Sequence, residues 1–313
     1  MALPTGSFTG TSDISNLVKA AYDQYVRMAL RSIPVMRALA DVKPVQQAMP
    51  GSSVVFSIYS DLAQATSTLT ETLDVSSVAL GNPSQVTVTL NEYGSAVTTT
   101  KKLNLTSFND VDAALADIIA YNAADSIDSV VATVLTGGSN VIYGGNATTT
   151  NTIDASDTIS VADIRNAVTE LRTNKALPRL GELYAAYLHP RQAADLRAES
   201  GTGGFQDIVK YTDNVSKTII PGSVGVIEGA FVVETPRVPY AANTNSPAVN
   251  VYKAVVAGRE ALAEAMGQDI NTVIGPEIDA LRRFRTIGWY YFGGFARLRE
   301  AALYRIETSA SAG

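Results

Sequence analysis

The chain carries a single histidine, His189, immediately followed by Pro190, and no cysteine. Zinc centres draw several ligands from His and Cys side chains, so one imidazole does not supply such a site. Without thiols there are no disulfides, thiolate metal sites or cysteine nucleophiles. Serines are plentiful enough for a Ser/His/Asp relay, but Gly-x-Ser-x-Gly is absent. His189 therefore reads as a structural residue at a strand end. Asp110, Asp112, Asp117, Asp125 and Asp128 crowd one stretch and could be metal ligands. No Asp-x-Asp-x-Asp-Gly loop holds them, and acidic residues in a helix's first turns are favoured by its dipole, so they too read as structural. Gly201-Thr202-Gly203-Gly204 is not followed by Gly-Lys-Ser/Thr and cannot be a phosphate cradle; these glycines read as a loop tip. The basic residues concentrate in Arg282, Arg283, Arg285, Arg297, Arg299 and Arg305. Arginine is favoured at protein interfaces, so salt bridges to a neighbouring subunit are the preferred reading, ahead of ordinary surface and of nucleic acid. The aromatic run from Trp289 to Phe295 reads as core before it reads as a base-stacking platform. None of these residues calls for a cofactor.

The composition points away from catalysis and towards contact. The chain has 313 residues, 46% of them hydrophobic and 17% charged, with a net charge of −6. An average soluble domain is roughly 25% charged; a subunit that buries much of its outside against neighbours has reason to carry less. Avid DNA binding runs on Lys and Arg neutralising phosphates, which an acidic chain lacks. No run of about 18 uninterrupted apolar residues occurs, so no transmembrane helix is expected. Met1 to Asp13 lacks the basic start and apolar core of a signal peptide. A soluble protein made in a cytoplasm is expected, with no membrane partner.

The elements that must carry these residues follow from periodicity. Residues 1 to 13, rich in Gly, Ser and Thr, read as a flexible arm. A helix capped by Ser12 or Asp13 follows, with Ile14, Leu17, Val18, Ala21, Tyr25 and Met28 at helical spacing. Pro34 opens a second short helix with Val35, Met36 and Leu39. From Met49 to Leu105 the period is that of strands: Val54, Phe56 and Ile58, then Val86, Val88 and Leu90. Between them lie Thr- and Ser-rich residues with scattered Leu69, Leu73, Val75 and Val78. This is a long hairpin with a loose tip and no obvious second sheet beside it, which hints at an intermolecular contact. A helix from 109 to 136, capped by Asn109 or Asp110, carries Leu115, Ile118, Ile119, Ile127, Val131 and Leu135 and ends at Gly137-Gly138. Ser160 and Asp163 form a capping box for a further helix through Leu171. Leu183 to Leu188 is a buried strand, Pro190 starts a helix ending near Gly201, and short strands lie around 224–227, 231–234 and 249–257. The period of the last part, up to Glu307, fits helix and strand equally.

This order resembles the tailed-bacteriophage major capsid protein family with its Hong Kong 97-type fold. Gly222-Ser-Val-Gly225-Val-Ile-Glu-Gly229-Ala-Phe-Val-Val-Glu-Thr is similar to that family's glycine-punctuated strand pair. Gly288-Trp-Tyr-Tyr-Phe-Gly-Gly-Phe-Ala-Arg-Leu, with Tyr304-Arg-Ile-Glu-Thr-Ser, resembles the closing segment of the branch related to phage N4 capsid proteins. The resemblance implies an α+β fold: an N-terminal arm and helices (1–49), a β-hairpin extension loop (50–106), a peripheral domain with a spine helix (107–159), an axial domain (160–257) and a return to the peripheral domain (258–313). It implies hexamers and pentamers closing into an icosahedral shell around double-stranded DNA, held without sequence-specific binding. Partners would be the chain itself, a portal, decoration proteins and a scaffold; because the sequence begins almost at the arm, the scaffold is expected to be a separate protein. Leu69, Leu73, Val75, Val78, Arg282, Arg283 and Arg285 would then make inter-subunit contacts, and Gly201, Gly203 and Gly204 would face the capsomer centre. An encapsulin-type compartment is the nearest rival, separated by whether DNA or a cargo protein co-purifies. A hydrolase or carbohydrate-active domain is a remoter one, supported by activity without assembly.

Overall fold

The computed structural model describes residues 32–44, 52–75, 77–106, 111–199, 223–245, 247–277 and 279–311. The expected arm at 1–13, the helix at 14–28, the caps Asn109 and Asp110, and the tip glycines Gly201, Gly203 and Gly204 lie outside the described residues.

Fully apolar runs need cover on both faces, and the larger sheet shows how this chain supplies it. That sheet is built from β5 (Val141–Tyr143), β6 (Tyr184–Leu188), β7 (Ser223–Ile227), β8 (Ala230–Glu234), β9 (Tyr240–Ala242), β10 (Asn250–Ala257) and β13 (Leu303–Thr308). Its order is β5-β13-β10-β6-β8-β7, with β9 also on β10. Every residue of β6 is buried. Tyr184, Ala186 and Leu188 pack with Ile164, Val168 and Leu171 of the helix Val161–Thr173, whereas Ala185 and Tyr187 pack with Val131, Leu135, Met36 and Leu39 on the other face. Alternation places successive side chains on opposite faces, and with helices on both sides no polar face is left.

The second sheet runs β1-β11-β12-β4, that is Ala40–Pro44, Leu262–Ile274, Phe284–Arg297 and Asn91–Thr100. A single helix, Val111–Thr136, serves both sheets. Its buried positions step by four: Leu115, Ile119, Ala123 and Ile127 meet Ile287, Trp289 and Tyr291 of β12, and Val131 and Leu135 meet the larger sheet. At about 1.5 Å per residue the helix is roughly 39 Å long, enough to bridge the two. Ile118, expected on the apolar stripe, is instead exposed. Leu115–Thr136 is apolar and long enough to cross a membrane by composition, but here it is a core helix packed along a sheet.

A two-stranded ribbon, β2 (Ser53–Ile58) with β3 (Ser84–Thr89), completes the sheets. Several expectations need correction. The strand reading up to Leu105 fails at its end, since Lys101–Thr106 is a short helix, which we call α1. Its Lys-Lys-Leu-Asn-Leu alternation imitates a strand, but the Thr100 hydroxyl accepts the Leu103 N–H and turns the chain. We number the helix Val111–Thr136 α2, Val161–Thr173 α3 and Pro190–Ala198 α4. The helix expected after Pro34 is only a 3-10 turn, Met36–Leu39, before the chain extends into β1. The undecided C-terminal part is strand, with a 3-10 turn at Glu300–Ala302. The hairpin also has a sheet beside its root: Val54, Phe56 and Val88 pack with Ala265, Phe292 and Ala296.

Candidate assembly surfaces

Of the carboxylates that could have been metal ligands, Asp125 and Asp128 are engaged by an arginine. Asp128 is 1% exposed; its Oδ2 accepts from Arg237 Nε at 2.7 Å and its Oδ1 from the backbone N–H of Arg37 at 3.0 Å. Arg237 also grips the Asp125 carboxylate and its carbonyl. Nearby, wholly buried Glu264 accepts from Arg37 Nε and from Nη2 at 2.6 Å, and from the Tyr291 hydroxyl at 2.9 Å. Burial opposes charge on Arg37, but hydrogen bonds and the charge of Glu264 outweigh it and raise its pKa. Burial first, and then Glu264, raise the Tyr291 pKa, so the phenol stays a donor. This lattice ties residues 32–44 to α2 and β11. It was not legible in the sequence, because its bonded partners are up to 227 positions apart.

The C-terminal arginines divide by position. Arg297 donates to the carbonyl of Val134 at 2.9 Å, and Arg305 to the carbonyls of Thr136 and Gly138. These are carbonyls at and just beyond the end of α2, where a helix leaves acceptors unpaired and favours positive charge. Arg297 also pairs with Glu300, Arg305 with Glu307, and Arg299 with Glu260. These three arginines are thus used inside the subunit. Arg282 and Arg283 are exposed on the turn between β11 and β12, with Arg285 half-buried beside them; Arg283 pairs with Asp279 at 2.6 Å. The aromatic run is core at Trp289 and Tyr291, and Trp289 donates to Asn122 at 2.8 Å.

His189 sits at the N-cap of α4, where its Nδ1 accepts the Arg191 N–H at 3.2 Å and Gln192 returns the bond to the His189 N–H. Its ring packs against Tyr240 and Tyr252. Burial, and then the charge of Arg191, hold its pKa below the ordinary value. The Pro190 start was legible; that the lone histidine is itself the cap was not.

The hairpin root fixes where the chain meets its surroundings. At Gly294 a side chain would collide with the carbonyl oxygen of Thr89, so only glycine lets β3 cross β12 this closely. Of the Gly-Gly in the aromatic segment, Gly294 is there for that crossing, while Gly293 makes room for the Tyr291 ring and the Ala265 carbonyl. The other quoted motif is a hairpin, β7–β8, turned at Glu228 and Gly229, whose φ values are +50° and +85°. Between Ile58 and Ser84 the described residues form no strand or helix. Leu69, Leu73, Val75 and Val78 are 77, 72, 62 and 73% exposed, and Leu62 and Leu80 are exposed as well. Tyr59 and Asp61 share a cleft with Lys175, Leu177, Arg259 and Arg299, so the segment leaves past that end of the subunit.

The phage capsid protein family matches residues 9–311 of this chain. Among solved structures, the capsid of Ralstonia phage GP4 is similar with a TM-score of 0.74 at 15% identity, covering 98% of each chain. The cyanophage Pam1 capsid gives 0.72 at 13% identity, over 96% of this chain and 98% of that one. The capsid of the Helicobacter pylori bacteriophage KHP30 gives 0.72 at 14%, over 98% and 100%. No curated protein matches. The structural likeness shows the fold, the family match spans nearly the whole chain, and together they separate it from the compartment and hydrolase readings: the chain belongs to the phage capsid protein family, has the Hong Kong 97-type fold, and is a major capsid protein of an icosahedral shell.

Proposed function

We propose that copies of this chain form hexamers and pentamers, and that residues 61–82 of one copy lie on a neighbour. The observation that carries this is the exposure of Leu62, Leu69, Leu73, Val75, Val78 and Leu80 on a segment whose root is clamped to β12. Six aliphatic side chains held in water are costly unless another surface covers them. Many such contacts, individually moderate, multiply with copy number into a stable shell. Arg282, Arg283 and Arg285 join the inter-subunit contacts, and Gly201, Gly203 and Gly204 face the capsomer centre. The chain divides into arm and helices (1–49), extension loop (50–106), peripheral parts (107–159 and 258–313) and axial part (160–257). The protein is made in the host bacterial cytoplasm, encloses double-stranded DNA without reading its sequence, and works with a portal, a scaffold and decoration proteins. It performs no catalysis; buried carboxylates and the histidine are spent on structure.

The test replaces residues 62–81 by a short Gly-Ser turn. Loop-closure entropy changes only slowly with length, so the circular-dichroism melt should shift by less than about 1 kcal/mol in stability, while electron microscopy should show no closed shells. Normal shells from the deleted chain would refute the reading.

A further inference from the structure

The exposed segment has a charge character that its composition makes plain. Residues 59–83 contain Asp61, Glu71 and Asp74 and no Lys or Arg. At the opposite end of the subunit lies a surface of the other sign. There α1 carries Lys101 and Lys102, and the turn beside it carries Arg282, Arg283 and Arg285 against only Glu277 and Asp279. The two pieces are adjacent, because the Lys101 N–H bonds to the Arg283 carbonyl at 2.8 Å. Among these cations stand exposed Leu103, Leu105, Leu281, Ile274 and Val97. An acidic segment studded with aliphatics and a basic surface studded with aliphatics are thus two halves of one contact.

We infer that the acidic, aliphatic segment 61–80 of one copy docks on the basic, aliphatic surface formed by α1 and the 274–285 turn of a second copy, the electrostatic match setting register and direction. The inference rests on the proposal that the segment lies on a neighbour, and adds where and by what chemistry. The partner is another copy because the two halves sit at opposite ends of the β11–β12 pair. The hairpin root packs at Ala265 and Gly294, and α1 begins where β4 ends opposite Phe284. Those points are separated by roughly 33 Å at about 3.3 Å per residue, and the segment leaves on the far side, past Leu177 and Arg299. Donor and acceptor surfaces that differ on one subunit make a head-to-tail contact, the kind that generates rings.

Charge reversal tests this. The donor variant is E71K with D74K; the acceptor variant is K101E with R282E, which leaves the Arg283–Asp279 pair in place. Each alone should raise the critical concentration for assembly, read by light scattering at about 0.05 M salt, at least tenfold, with unchanged circular-dichroism melts. The deficit should shrink near 1 M salt, where screening reaches about 3 Å. Both reversals in one chain should restore assembly. An equimolar mixture of the two variant proteins should restore six-membered rings, in which the variants alternate and each presents the sign that the other's surface needs; a ring of five cannot alternate, so the readout is the ring and not the closed shell. Rescue in the single chain without rings in the mixture would place the contact within one copy and overturn the inference. Unaltered assembly in both variants would overturn it too; if shells were nevertheless lost on removal of 62–81, the neighbour contact would stand and only its location here would fall. A wild-type chain that never assembles would instead defeat the shell reading itself.

Discussion

Leu69 and Leu135 are the same residue in one chain, the first 77% exposed and the second wholly buried. The first stands on the segment beyond β2 and β3, with no ladder on either side. The second closes the stripe of α2 between two sheets. Around α2 even the charges are consumed internally: Asp125, Asp128 and Glu264 are matched by Arg237 and Arg37, and the helix end by Arg297 and Arg305. On the proposed reading the contrast means that folding and assembly draw on separate residues, so that the exposed segment can be altered without unfolding the subunit.

The separation can be probed from its strongest side first. Ile127→Asp buries an unpaired charge between α2 and β12, and should cost about 4 kcal/mol or more, leaving the chain insoluble or unfolded in a denaturation assay. Arg237→Ala strands Asp128, whose side chain is 1% exposed, and should cost roughly 3–5 kcal/mol in urea unfolding. Gly294→Ala forces β3 off β12 and should cost about 1–3 kcal/mol; because the root moves, shells should be lost in micrographs even where the subunit still melts cooperatively. If Gly294→Ala assembles normally, the root does not aim the segment and the contrast drawn here is too sharp. The smallest effect belongs to His189. A group whose pKa is lowered by folding lends its stability in full above its ordinary value of 6.5, and loses it as pH falls through that value towards the folded one. Protonation also removes the Nδ1 acceptor from the Arg191 N–H. Wild-type melting temperature should therefore drop more between pH 7 and 5 than that of His189→Asn, which keeps a cap acceptor that does not titrate. Equal drops would show that the cap does not sense pH.

What could be read in the sequence was whatever a short window contains. Ser160 with Asp163, Pro190 after a strand, and the four-residue steps of α2 are local devices, and each names its element directly. β11 escaped because its first four residues, Leu262 to Ala265, are all buried and its last four are all exposed. A strand that passes from a covered to an open environment shows no period of two. α1 escaped because six residues cannot distinguish alternation from a helical turn. The exposed aliphatics of the hairpin tip were visible as composition. The arginines were visible as a cluster, but that Arg297 and Arg305 cap α2 while Arg282 and Arg283 face outward depends on a helix end more than 140 positions away.

β13 lies inside the larger sheet, parallel to β5 on one side and antiparallel to β10 on the other. Its pairing with β5 joins Arg305 to Val141, far apart in the chain, and such non-local pairing is slow to form. A nascent chain still on the ribosome has α3, β6, β8 and β10 in hand, yet one side of β10 and the inner side of β5 stay open until residues 303–308 emerge. Chains that stop before residue 303 accordingly leave β5 without its partner strand and lack the Arg305 guanidinium that donates to the carbonyls at the end of α2. A stop codon or a protease cut only a few residues before 303 would thus remove a strand that the larger sheet pairs on both sides.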